Sequence, residues 1–224
     1  MRRTLLIPRG GAPAGVPIAV TSGTGPTPIT NGDQLLTAMH SRYAGRWYRS
    51  IQFVQKSTYY RPDGSILRSE TWYEAGVMPG KLRIDMNELS RGNGVLYRND
   101  STYQVQGGRV TARRFAGNEL LTLGFDVYAQ PTYQTAEQLR RYGFNLATLH
   151  TDTLDGRRVY VVGAARGDST TNQFWIDAER LLFVRALLTQ DGNTRDVRFE
   201  RYTQYDGGWV AETVRVIVGG RLRF

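Results

Sequence analysis

From His150 onward, turn chemistry recurs at intervals too short for helices. Asp155-Gly156, the four residues Asp177-Ala178-Glu179-Arg180, Asp191-Gly192 and Gly207-Gly208 each separate runs of alternating apolar and polar residues. Asp-Gly and Gly-Gly supply the positive φ that tight hairpin turns require. The clearest run, QFWIDAERLLFVRALL, alternates, pauses at the acidic turn and resumes. This part of the chain therefore predicts about five or six hairpin-linked strands in an antiparallel meander.

The upstream half repeats that rhythm after a helix. Asn31, Gly32 and Asp33 carry helix-start chemistry, and Leu35, Leu36, Met39 and Tyr43 share one helical face. The spacing predicts a helix over 33–44, stopped by Gly45. From Arg46 the period becomes two. In RWYRSIQFVQKSTYY, Trp47, Ile51 and Phe53 fall on one face with Arg49 among them. Pro62-Asp63-Gly64 turns the chain into SILRSETWYEAG, where Ile66 and Trp72 share a face. Glu70 and Glu74, also on one face, read as a solvated pair. Further turns fall at Pro79-Gly80, Asn99-Asp100 and Gly107-Gly108. Residues 117–133 read either as a helix broken at Gly124 or as a loosely packed lid. Thr135 is expected to cap a surface helix, TAEQLRRYGFN. No strand–helix–strand alternation occurs. The fold class is mainly β (α+β): a long curved antiparallel sheet with two or three helices on one face. Residues 1–30, rich in Gly, Pro, Thr and Ser, read as a flexible leader, and 31–224 as a single domain.

The chain of 224 residues has a net charge of +9. That balance suits an acidic partner. However, Lys56 and Lys81 are its only lysines, and the arginines are scattered rather than clustered. Such an excess equally fits a GC-rich genome. There is no cysteine, which excludes disulfides, thiolate metal sites, cysteine nucleophiles and a lipid-modified cysteine. Arg2 and Arg3 resemble the start of an export signal, but Leu5-Leu6-Ile7 is shorter than the ~7–15 apolar residues such a signal needs. No stretch approaches the ~20 apolar residues of a membrane span.

The order of pieces resembles the periplasmic outer-membrane lipoprotein carrier or sorting family (LolA/LolB-like). The residues that carry the likeness are DQLLTAMHSRYAG running into RWYRSIQFVQKSTYY, then FWIDAERLLFVRALL, and Tyr205-Asp206-Gly207-Gly208-Trp209 before the last strand. Phe183-Val184 and Ala211 stand where that family commonly carries proline. The resemblance implies an open half-barrel with helices as a lid, and acyl chains held between them. It implies a non-enzymatic, monomeric, periplasmic carrier, with no cofactor or metal. Cargo would pass from an inner-membrane release complex to an outer-membrane acceptor. Face parity offers Trp47, Ile51, Phe53, Ile66, Trp72, Phe174 and Ile176 as lining residues, with Leu35, Leu36 and Met39 opposite. Arg49 matches an arginine that contacts lid or cargo in resembling carriers.

Two rival readings remain open at this point. The basic charge and the 13 tyrosines suit a binding module for an anionic polymer, either nucleic acid or an acidic glycan. A hydrolase would need a nucleophile, and Gly167-Asp168-Ser169 is the nearest candidate, though it also reads as ordinary turn chemistry. His40 reads as a surface residue. His150 and Asp152 make half a metal site without a third ligand.

Overall fold

The strands follow the turn signals. The computed structural model describes residues 28–224, so residues 1–27 of the segment read as a leader lie outside the described residues. Just after them, Ile29 packs against the core and the Thr30 N–H donates to Gln34 Oε1 at 2.8 Å.

Helix α1 spans Gly32–Tyr43, one residue from the expected bounds at each end, and is capped by the Asn31 side chain. Six strands follow: β1 (Ser50–Tyr60), β2 (Ile66–Val77), β3 (Lys81–Met86), β4 (Gly94–Arg98), β5 (Ser101–Gln106) and β6 (Arg109–Phe115). Residues 117–133 hold a short helix, α2 (Glu119–Gly124), and one 3-10 turn at Asp126–Tyr128. Helix α3 spans Thr132–Arg141. It begins three residues before Thr135, because Pro131 sets the N-terminal backbone and Thr135 is buried against Gln130.

The remaining strands are β7 (Leu149–Leu154), β8 (Arg157–Val162), β9 (Gln173–Asp177), β10 (Phe183–Gln190), β11 (Asn193–Tyr205), β12 (Gly208–Val218) and β13 (Arg221–Leu222). Except between β6 and β7, every strand pairs antiparallel with its neighbours in the chain. The expected long sheet is divided into two ladders, β1 to β6 and β7 to β13. Among the described residues, one backbone hydrogen bond crosses between them, from Tyr60 N–H to Arg223 O at 3.0 Å. The result is an open half-barrel. Its free edge β6 is exposed throughout and carries Arg109, Arg113 and Arg114, which discourages pairing with another strand.

The turn between β9 and β10 organises the helical layer. Asp177 accepts the backbone N–H groups of Glu179 and Arg180, at 3.1 and 2.8 Å, and Leu181 is forced to φ +56°. A branched residue there is strained. Three tyrosines hold it. Tyr43 of α1 donates to Arg180 O at 2.6 Å. Tyr128 donates to Leu181 O at 3.3 Å and accepts from Phe183 N–H at 3.1 Å. Tyr202 of β11 donates to Phe183 O. Trp47 stacks on Tyr128 with ring centroids 4.0 Å apart, and Tyr43 meets both rings edge-on. Gly207 and Gly208 close this end. A Cβ at Gly208 would meet the Tyr48 ring at 2.6 Å, and one at Gly207 the Arg46 carbonyl at 2.4 Å. The Gly-Gly pair is thus the only fit where the β11–β12 turn folds onto Arg46–Tyr48.

Tyr128→Phe leaves the Phe183 N–H buried without its acceptor, which costs about 1–3 kcal/mol. Urea unfolding of the variant is expected to show a lower midpoint at unchanged slope; a midpoint equal to that of the parent would remove this hydroxyl from the clamp.

Candidate functional site

Anchored at Leu146, where Gly32 N–H donates at 2.7 Å, and at Arg180, α1 covers the second sheet near β8 to β10. The first sheet and strands β11 and β12 are left bare on their inner faces. Between them lies a groove of about 430 Å³. One wall is built by alternate residues of β1 and β2, Ile51, Phe53, Tyr59, Trp72 and Glu74, and continues through Leu82 and Ile84 of β3. The opposite wall is Phe199 of β11 with Val210, Ala211, Val214 and Val216 of β12. Leu120, Leu121 and Phe125 form the floor beneath α2. At the rim Phe224 packs against Tyr59 and Trp72, with ring centroids 5.1 and 5.5 Å apart. Trp72 is oriented by its indole N–H, which donates to Glu70 at 2.9 Å.

Polar groups interrupt this surface at a few points, among them Gln55 of β1 and Asn118 before α2. Arg195 reaches it from β11 and pairs with Glu119 of α2 at 3.6 Å. Glu74, expected to be solvated, is instead 8% exposed, because β2 sits inside the sheet and presents it to the groove. Burial pushes its carboxyl up to about 7. Tyr97, which feels both Glu74 and Glu119, is raised chiefly by burial. Beside the groove lies a smaller polar cavity of about 160 Å³, bordered by Asp100, Asp126, Gln138 and Tyr142. Burial pushes Asp126 up to about 7 as well, against the opposing effect of the Gly80 N–H that it accepts at 2.9 Å.

Of the lining residues expected from face parity, the structure brings Ile51, Phe53 and Trp72 together in the groove. Trp47 lies in the aromatic cluster at the closed end, because β1 begins at Ser50 and the alternation does not extend back to it. Leu35, Leu36, Met39, Phe174 and Ile176 are fully buried in the core under the helices; α1 does not roof the groove. Ile66 shares the parity of Trp72 but sits at the hairpin tip, 58% exposed. Arg49 is exposed, with its backbone oxygen accepting from Met78 N–H at 2.9 Å. Sequence reasoning missed the β11–β12 wall, the floor from α2 and Phe224.

The catalytic candidates resolve into structural groups. Asp168 accepts from the side chains and backbone of Thr171 and Thr170, which hold its carboxyl well below the usual range, so Gly167-Asp168-Ser169 is a capped turn. The Asp152 carboxylate next to His150 is also met by Arg166, at 3.6 Å. No group of His, Cys, Asp and Glu placed to hold a metal occurs among the described residues. Many arginines are engaged with acids, including Arg185 and Arg198 on Asp196, Arg140 on Asp33 and Arg215 on Glu200. No described helix is long and apolar enough to cross a membrane.

No family model matches this sequence, and no curated protein matches it. Solved structures do. The chain is similar to a LolA superfamily protein from Nitrosomonas europaea, at 10% identity and a TM-score of 0.52, over 85% of this chain and 87% of that one. It is also similar to a putative outer membrane lipoprotein-sorting protein domain from Vibrio parahaemolyticus, at 13% identity and a TM-score of 0.43, over 84% and 85%. At such identity the first likeness shows the fold, and it is the half-barrel that the sequence resemblance implied.

The Glu74 carboxyl makes stability depend on pH. Its folded value, about 7, lies above the ordinary 4.5. Its contribution is therefore complete below about pH 4.5 and is lost as pH rises through 7, a loss on the order of 3 kcal/mol. Glu74→Gln removes that titration. Denaturation at pH 5 and pH 8 is expected to show the variant gaining on the parent at the higher pH; an equal gap at both pH values would contradict the buried placement.

Proposed function

We propose that the protein is a non-enzymatic carrier that shelters acyl chains, of a lipid or of a lipoprotein anchor, in the groove between its two sheets. The observation that carries this reading is the groove itself, an apolar concavity of about 430 Å³ that the protein's own helices leave open. Its size falls within the roughly 300–1,000 Å³ typical of small-ligand sites. Each methylene withdrawn from water contributes ~0.8 kcal/mol. A chain of about a dozen methylenes thus gains on the order of 10 kcal/mol, before the costs of immobilising it are subtracted. Walls of Val, Ile, Leu and Phe grip by area rather than by direction, which suits a ligand that must be both held and released.

The carrier reading places the protein in the periplasm, taking cargo from an inner-membrane donor and delivering it to the outer membrane. The fold likeness supports this at the level of the superfamily. Transfer in such a carrier is a shift between an empty and a loaded population of the groove. The charge reading is the weaker one, since so many arginines are already paired.

Native mass spectrometry of freshly purified protein, with extraction and identification of anything bound, tests the proposal. A bound acylated species is expected, together with uptake of an acylated peptide by the emptied protein. Val214→Arg sets a cation into the wall and is expected to reduce that uptake at least tenfold while the circular dichroism spectrum is kept. A clean apo mass with no uptake by the parent would end the carrier reading.

A further inference from the structure

Glu74 stands at the middle of the groove wall. In register it lies between Phe53 of β1 and Ile84 of β3, and its neighbours along β2 on the same face are Trp72 and Gly76. It is more than nine-tenths buried, the little exposure it keeps opens on the groove and, among the described residues, its carboxyl has no hydrogen-bond or ion-pair partner. The other buried carboxyls are all provided for. Asp126 accepts Gly80 N–H, and Asp177 accepts two backbone N–H groups of its turn. The half-buried Asp196 holds two arginines. Arg195, the cation lining the same groove, is engaged by Glu119.

A hydrocarbon ligand that fills the groove covers the carboxyl and leaves it without a partner, which costs affinity. At position 74 a leucine would serve both the fold and a plain hydrocarbon ligand better. The carboxyl is therefore a poor choice for a groove that takes only unsubstituted chains, and a good one for a ligand that brings its own polar group to this depth. Near neutral pH both protonation states of Glu74 are populated. An ester carbonyl, which only accepts, satisfies one state; an ammonium, which only donates, satisfies the other. A hydroxyl or a secondary amide both donates and accepts, so it satisfies either state.

We propose that Glu74 is the polar anchor of the groove, hydrogen-bonded to a hydroxyl or secondary amide borne on the acyl ligand. The inference rests on the acyl-carrier reading and adds the chemical class of its cargo. It distinguishes substituted chains from plain ones within the same apolar cleft.

The test is binding of uncharged probes to the full chain: methyl palmitate, its monohydroxylated analogues and N-methylpalmitamide. The parent is expected to bind the amide or at least one hydroxylated ester about tenfold more tightly than methyl palmitate, the effect of one good hydrogen bond. The two sources of the anchor group are separated by which of those probes wins. Glu74→Leu is expected to bind methyl palmitate more tightly than the parent and to lose the preference to within about twofold. Glu74→Gln, which still donates and accepts, is expected to keep it and guards against a fold defect in the leucine variant. Equal affinities in the parent, a preference that survives Glu74→Leu, or tighter binding of hexadecylamine than of any hydroxylated ester would overturn the anchor while leaving the carrier reading intact. Failure of every probe with the parent would overturn both.

Discussion

Three phenolic hydroxyls converge on four residues of backbone. Tyr43, Tyr128 and Tyr202 come from a helix, a 3-10 turn and a strand, and all hold the peptide groups of 180–183. The strained turn at Leu181 persists because these partners over-determine it. Through them α1 and the 3-10 turn are fixed over the second sheet. A tyrosine ring contributes apolar area on one end and a directed bond on the other, so a small aromatic cluster sets both the position and the tilt of the helical layer. That layer meets the first sheet at its turns, through Asp126 on Gly80 and through Gln138 and Arg141 on Asp100, so much of the first sheet's inner face stays open and the groove is the remainder.

The groove's character follows from strand geometry. Side chains alternate across a strand, so Ile51 and Phe53 look inward while Gln52 and Val54 look out. The facing wall comes from β11 and β12, whose long ladder runs from Arg195 opposite Val218 to Tyr205 opposite Gly208. Both walls are backed by long antiparallel ladders, interrupted at Arg201 in one and at Tyr59–Tyr60 in the other. What stays soft is the surface chemistry, a mainly apolar lining whose charged groups are one carboxyl and one paired arginine, with Gln55 and Asn118 as its amides.

Much of this was legible in the residues. The turn pairs located most of the hairpins, and alternation put Ile51, Phe53 and Trp72 on the inner face. Parity also placed Glu74 beside Trp72, but charge argued for solvent, and only the neighbouring strands reveal that the site is enclosed. Leu35, Leu36 and Met39 were correctly seen as one apolar stripe; which sheet that stripe would cover depends on the tyrosine contacts, which join residues more than 130 positions apart in the case of Tyr43 and Arg180. The β11–β12 wall was only half legible: Val214 and Val216 alternate with Arg215, but Val210 and Ala211 are adjacent and the register skips Arg201, so one parity does not run through the strand. The division into two ladders is likewise a matter of long-range pairing.

Among the described residues the backbone seam between the ladders is a single rung, from Tyr60 to Arg223. Elsewhere each wall is a laminate whose layers cannot slide without breaking many bonds at once. Along the seam one backbone bond, with a net value of about 1 kcal/mol, is joined by the packing of Phe224 on Tyr59 and Trp72 and of the Gly207-Gly208 turn on Tyr48. The molecule is built like a book whose boards are laminated by backbone and whose spine is bound by side chains.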